Sequence, residues 1–221
     1  MEKPNANSSS VDKVVPYEPV SIETRVVNSR FIADLAPAKS VEEAREFIAS
    51  IKKAHPNATH HVPAFLIGFG NSVIAHSSDD REPQGTAGRP ALTVLQGSGL
   101  GNVVLVITRY FGGTKLGTGG LVRAYTEAAQ LAVAKVRRAI LVPTATADMQ
   151  LPYALYDQMI KLTERFPVEI LETVFTEEVR LVLEIKESEA EAFCEQVKEL
   201  SSGKVLPQIV STDPEKAFLM D

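Results

Sequence analysis

Tryptophan is missing from this 221-residue sequence and cysteine occurs once, at Cys194, so an internal disulfide is excluded. Cys194 follows Phe193 in an amphipathic helical pattern and reads as a small buried hydrophobe, not as a nucleophile. Long apolar runs are also absent. None approaches the ~20 residues of a membrane span, and the first residues are acidic, polar and proline-containing where a signal peptide would be basic and then apolar. A cytoplasmic protein without membrane contact is expected. Basic excess is lacking too: the formal charge is −5, which argues against strong nonspecific binding to duplex nucleic acid, because that takes a broad basic surface. Glycine is absent before Gly68, yet twelve of the 13 glycines lie from Gly68 to Gly120 and only Gly203 follows. The conformationally demanding part of the chain is therefore one central block.

Within that block, Thr108 to Arg123 reads TRYFGGTKLGTGGLVR. The apolar run Val103 to Ile107 leads in, and a helical pattern beginning near Gly120 leads out. Gly112, Gly113, Gly117, Gly119 and Gly120 allow positive φ and close backbone approach. Arg109, Lys115 and Arg123 add cations to the free amides of a helix start, a combination suited to an anion. Tyr110 and Phe111 suit either a stacking platform for unpaired bases or the core. Arg89, in the preceding glycine-rich stretch, is a further candidate contact.

Two known phosphate motifs are excluded. The P-loop needs glycine, four residues, then glycine-lysine and a hydroxyl, whereas Lys115 follows Gly113-Thr114 and precedes Leu116. Neither Gly97 to Gly101 nor Gly117 to Gly120 supplies the dinucleotide fingerprint G-x-G-x-x-G. No cofactor is expected.

Charge divides the chain. Residues 1–141 hold 16 Lys+Arg and 12 Asp+Glu, while residues 142–221 hold 7 and 16, so a weakly basic part precedes an acidic one. We expect a mobile tail over 1–16, an N-terminal domain over 17–141 and a C-terminal domain over 142–221. Alternation from Val20 to Leu35 predicts two strands. Ser40 with Glu43 forms a capping-box pattern for a helix that Pro56 stops. His60 to Gly70 and Ser72 to His76 read as a hairpin turning at Gly70-Asn71, and a short helix around Ala87 to Leu95 ends at Gly97. Val103 to Ile107 is a strand buried on both faces. A long helix carrying Val122, Tyr125, Ala129, Val133 and Val136 is expected to end at Arg137-Arg138.

Beyond Pro143 the pattern is strand Thr146 to Leu151, helix Tyr153 to Arg165, hairpin Val168 to Phe175 and Val179 to Ile185, helix Ser188 to Leu200 and strand Val205 to Val210. This order is ferredoxin-like. The carboxylates of its helices read as a solvated face or as a contact for a protein partner.

A cluster of Asp79, Asp80 and Glu82, with His60 upstream, offers divalent-metal ligands, a general base beside an arginine clamp, or simple partners that hold Arg109 and Arg123 between loops. His55, before Pro56, reads as a helix-end residue.

The stretches GTAGRP and TRYFGGTKLGTGGLVRAY, with DD-x-EP before the first and ATH at Ala58 to His60, resemble the IMPACT/YigZ family. The similarity spans roughly Tyr17 to Leu141, and the acidic segment after it is similar to the family's small bacterial C-terminal domain. The resemblance implies an α+β protein of two domains. The N-terminal one is an α/β sandwich similar to a ribosomal-protein domain and to domain IV of elongation factor G, and the C-terminal one is ferredoxin-like, similar to domain V of that factor. It further implies a link to translation and its regulation, nucleic-acid binding proposed for bacterial members, protein contacts for eukaryotic ones, and no established catalysis. Arg81 stands where the family pattern has glycine and Gln84 where it has serine; His61-Val62 replaces a polar pair. Arg81 beside the three carboxylates weakens a metal reading. RNA or the ribosome is the expected partner through Arg89, Arg109, Tyr110, Lys115, Arg123 and the turn glycines. A small-molecule hydrolase or transferase, and a protein-interaction regulator with a purely structural turn, are the alternatives. The oligomeric state is left open by the sequence.

Overall fold

A computed structural model describes residues 13–70 and 72–220. Residues 1–12, most of the expected tail, lie outside the described residues, as does Asn71 of the expected turn. The chain divides into two compact units, 1–140 with 218–221, and 141–217.

Unit 1 is built on a five-stranded antiparallel sheet of β2 (Val20–Val26), β3 (Ser29–Pro37), β4 (His60–Ile67), β5 (Ile74–Ser77) and β6 (Val103–Tyr110), in the order β2-β3-β6-β4-β5. The central strand is β6, and Val103 to Ile107 are all 0% exposed. Both faces of the sheet are covered, which is why the strand is continuously apolar instead of alternating. Each such residue contributes ~1.5–3 kcal/mol by burial before chain entropy is counted. On one face α1 (Val41–Ala54) packs Ala44 against Ala36, Phe65 and Val104. On the other, α2 (Gly88–Gly97) and α3 (Gly117–Lys135) pack against Phe31, Leu35, Leu105 and Ile107.

Local signals explain most of these bounds. The Ser40 hydroxyl accepts from the Glu43 N–H at 3.1 Å, as the capping pattern requires. The returning arm reaches one residue further back than expected, where the Glu43 carboxylate accepts from the Lys39 N–H at 2.7 Å.

Helix α3 departs from its sequence pattern. It begins at Gly117 and ends at Lys135, and its buried face is Leu121, Ala124, Tyr125, Ala128, Ala129 and Ala132, while Val122 is 37% exposed. Small alanines let the helix lie close to the sheet, so volume selects the inner face here. Arg137 lies past the helix and pairs with Glu18 at 3.3 Å, and Arg138 begins the next strand. The stretch expected to be a tail also contains β1 (Val14–Pro16), which pairs with Arg138 to Ile140. Three residues are too few to show periodicity.

Unit 2 follows the expected β-α-β-β-α-β order: β7 (Arg138–Leu151, its first three residues in unit 1), α4 (Tyr153–Thr163), β8 (Val168–Phe175), β9 (Val179–Lys186), α5 (Glu187–Leu200) and β10 (Gln208–Leu219, its last two residues in unit 1). Its strand order is β10-β7-β9-β8, the ferredoxin-like arrangement. The core gathers Leu151, Met159, Leu181, Leu183, Phe193 and Val197. The last strand starts three residues later than expected because Val205, 1% exposed, is spent in the core before the strand begins. Cys194 is half-buried, and burial raises its thiol pKa, which fits a packing role.

Candidate nucleic-acid interface at the glycine turn

The site is assembled where β6 ends and α3 begins. Gly112 passes so close to the β2–β3 turn that a Cβ there would fall 1.9 Å from the Asn28 carbonyl oxygen, while Gly113 and Gly117 take φ of +86° and +71°. The Gly112 N–H donates to the Ser29 hydroxyl at 3.3 Å and the Phe111 N–H to the Thr59 hydroxyl at 3.0 Å. These contacts fix the turn against β3 and against Thr59, the residue before β4.

Arg109 is 4% exposed. Its Nη1 donates to Glu82 Oε1 at 2.6 Å and its Nη2 to Ser29 Oγ at 3.2 Å, and the guanidinium lies 5.4 Å from the Phe31 ring centre and 5.5 Å from that of Phe111. Glu82, 8% exposed, also accepts from the Tyr125 hydroxyl at 2.7 Å. Burial, and then the Glu82 carboxylate, push the Tyr125 phenol far above its ordinary range, so it remains a donor. Arg109, Glu82 and Tyr125 therefore form a buried polar knot that ties β6, the acidic loop and α3 together. Tyr125 was legible as a helix core residue but not as a partner of Glu82; its hydroxyl on an apolar stripe was the available signal.

The other carboxylates of the loop are also occupied. Asp79 accepts from the N–H groups of Gly85 (2.8 Å), Ala87 (3.0 Å) and Gly88 (2.8 Å). Asp80 accepts from the His61 N–H at 2.6 Å, and its carbonyl accepts from His60 Nδ1 at 2.8 Å. A carbonyl only accepts, so Nδ1 carries the proton, and Nε2 faces Glu82 at 3.7 Å. Among the described residues no group of three or more His, Cys, Asp or Glu is placed to hold a metal. Arg81 donates to the Thr59 carbonyl at 3.3 Å. Its φ of +72° explains why glycine suits this position in the family pattern, since a left-handed side chain costs roughly 1–2 kcal/mol.

Burial alone would raise the Asp79 pKa, but the N–H donors of Gly85, Gly88 and Ala87 outweigh it and hold the group below its ordinary value. A depressed folded pKa gives stability that is present above the unfolded value, ~3.9, and lost as pH falls through the folded one. Asp79→Ala is expected to cost about 1–3 kcal/mol near neutral pH and less below about pH 3. Urea unfolding at both pH values checks this; an equal loss at both would contradict it.

The remaining candidates separate. Tyr110 is not free to stack: Arg30 sits 4.4 Å above its ring centre and its hydroxyl lies 3.0 Å from His55 Nδ1. His55 thus does more than end α1, because its carbonyl also accepts from His61 Nε2 at 3.0 Å. Phe111 is 44% exposed. Lys115, Gly119, Arg123 and Arg89 are exposed and Gly120 is half-buried. A pocket of about 320 Å³ opens beside the turn, lined by the apolar Pro83, Phe111, Leu116 and Leu121, by Lys115, Gly117 and Thr118, and by Glu82 and Arg109. Arg123 does not line it, and Arg89 lines a separate depression between α2 and α3 with Pro90, Thr93 and Thr126.

The Impact N-terminal domain family matches residues 27–133, and a family described as a domain of unknown function matches residues 149–204. An IMPACT family member of Haemophilus influenzae is 41% identical over 198 residues, covering 89% of this chain and 96% of that protein. The chain belongs to the IMPACT family. The family member YigZ of Escherichia coli is 40% identical over 141 residues, 63% of this chain and 69% of its own. A crystal structure described as that of a hypothetical protein covers 90% of this chain and 98% of its own at 30% identity, with a TM-score of 0.58. The two-domain α+β fold is that of an IMPACT family protein. Among the described residues no helix is long and apolar enough to cross a membrane.

Proposed function

We propose that this IMPACT family chain is a non-catalytic, translation-associated module of the cytoplasm that contacts RNA, free or on the ribosome, at the start of α3. The observation that carries the reading is Lys115, exposed in the pocket lining next to a 19-residue helix whose N-terminus no side chain caps. Free N–H groups and a nearby ammonium there favour an anion. Glu82 does not oppose it, because its charge is compensated by Arg109. The family's link to translation makes RNA phosphate the anion of choice. Arg89 and Arg123 are proposed as outlying phosphate contacts, and the acidic C-terminal unit as the surface for a protein partner.

The enzyme alternative finds less support. Asp79, Asp80 and Glu82 are all engaged in holding loops together, so a carboxylate base would have to give up structural hydrogen bonds.

Titrating single-stranded RNA and ribosomes at several salt concentrations tests the proposal. Each phosphate neutralised on a single strand contributes about −0.7 to the slope of log K against log salt. Lys115→Ala is expected to weaken binding and to reduce the magnitude of that slope by about one contact. Salt-independent binding, or a variant indistinguishable from the parent, would refute the reading.

A further inference from the structure

The pocket at the start of α3 is lined by the apolar side chains of Pro83, Phe111, Leu116 and Leu121 together with Lys115, Gly117 and Thr118. Phosphate alone has no use for the apolar part of that lining. Two features besides the helix N-terminus point to a ligand with both characters. Arg109, 4% exposed, is among the residues lining this pocket, and its Nε lacks a hydrogen-bond partner although Nη1 and Nη2 are held by Glu82 and Ser29. A buried donor left unmatched costs about 1–3 kcal/mol, and an acceptor on a bound molecule would match it. Finally, Phe111 offers a half-exposed ring to the pocket, while the adjacent Tyr110 is covered by Arg30.

We propose that this pocket receives one unpaired nucleotide, its phosphate on Lys115 and the α3 amides and its base against Phe111. The inference rests on the RNA reading above and specifies it: the preferred partner is a single-stranded or extruded nucleotide, because bases stacked inside a duplex cannot reach Phe111. The volume of about 320 Å³ lies at the small end of ligand sites, which suits one nucleotide and not several. A free mononucleotide carries the same chemistry as a nucleotide within a strand, and the experiment separates these sources.

The full chain is titrated with AMP, UMP, ribose 5-phosphate and inorganic phosphate, and with single-stranded and duplex RNA of equal length. Either mononucleotide is expected to bind roughly ten-fold or more tightly than ribose 5-phosphate, as one base stacked on an aromatic ring provides. Phe111→Ala should remove that advantage and leave ribose 5-phosphate binding unchanged, Phe111→Tyr should restore it, and thermal unfolding of both variants should match the parent. Single-stranded RNA should outcompete duplex. Equal affinity for mononucleotide and ribose 5-phosphate, or binding of inorganic phosphate alone, overturns the inference, while salt-dependent RNA binding that ignores Phe111 would leave the RNA reading standing without it. Phe111-dependent mononucleotide binding with no affinity for RNA or ribosomes would support the pocket assignment, identify the ligand as a free nucleotide and overturn the RNA reading.

Discussion

Arg109→Ala is expected to destabilise the N-terminal unit by about 3–5 kcal/mol, the loss typical of breaking a buried ion pair by removing one partner. At 4% exposure Arg109 is held away from bulk water, and its removal leaves the Glu82 carboxylate with Tyr125 as its strong donor. For a protein of this size such a loss lowers the unfolding midpoint by roughly 10 °C. Adding Glu82→Gln in an Arg109→Met background should recover part of the loss, because no uncompensated charge then remains. Urea unfolding of the three variants checks this. A loss below about 1 kcal/mol, the range of exposed pairs, would mean that the pair is not desolvated. Its burial with Glu82 makes Arg109 a poor residue for testing RNA contact, since weaker binding after its removal would report unfolding as readily as a lost phosphate.

The second large effect separates two glycines seven residues apart. In Gly112→Ala the new Cβ would lie 1.9 Å from the Asn28 oxygen and 2.0 Å from its carbonyl carbon. These are backbone atoms of the β2–β3 turn, so the strand ends themselves must move, at a cost of about 3 kcal/mol or more. Gly119→Ala meets nothing within 4 Å and is expected to stabilise the helix by about 0.5–1 kcal/mol. Opposite signs in equilibrium unfolding are the expected result. A destabilising Gly119→Ala would show that the fold itself requires that glycine.

Local periodicity made much of the fold legible. Alternation exposed β2 and β3, the Ser40 cap and Pro56 bounded α1, and the apolar run before the turn located β6 with both of its faces buried. The βαββαβ order of the C-terminal unit followed from the same signals. What sequence could not show depends on distant partners. Strand β1 is three residues that acquire meaning only beside Arg138 to Ile140. The inner face of α3 is chosen by alanines fitting close to the sheet, which a pattern of larger side chains obscures.

At the candidate site, sequence showed the ingredients but not their allocation. Pairing of arginine with the acidic loop stood beside phosphate binding as an open alternative, and Arg109 in fact pairs with buried Glu82 while Lys115 stays exposed. Asp79 and Asp80 looked like ligands or bases, yet their oxygens meet backbone N–H groups whose positions no spacing rule reveals. Tyr110 and Phe111 are neighbours in sequence, but strand geometry sends them to different surroundings.

The central claim is that the first turn of α3, with Lys115, is the ligand-facing half of this site, and the Arg109–Glu82–Tyr125 knot its structural half. The most direct test is amide chemical-shift mapping of the full chain by NMR during titration with single-stranded RNA. Saturable shifts centred on the N–H groups of Gly117, Thr118 and Gly119, reduced in Lys115→Ala, are the predicted result. Shifts confined to other surfaces, with these three amides unmoved at saturation, would contradict it.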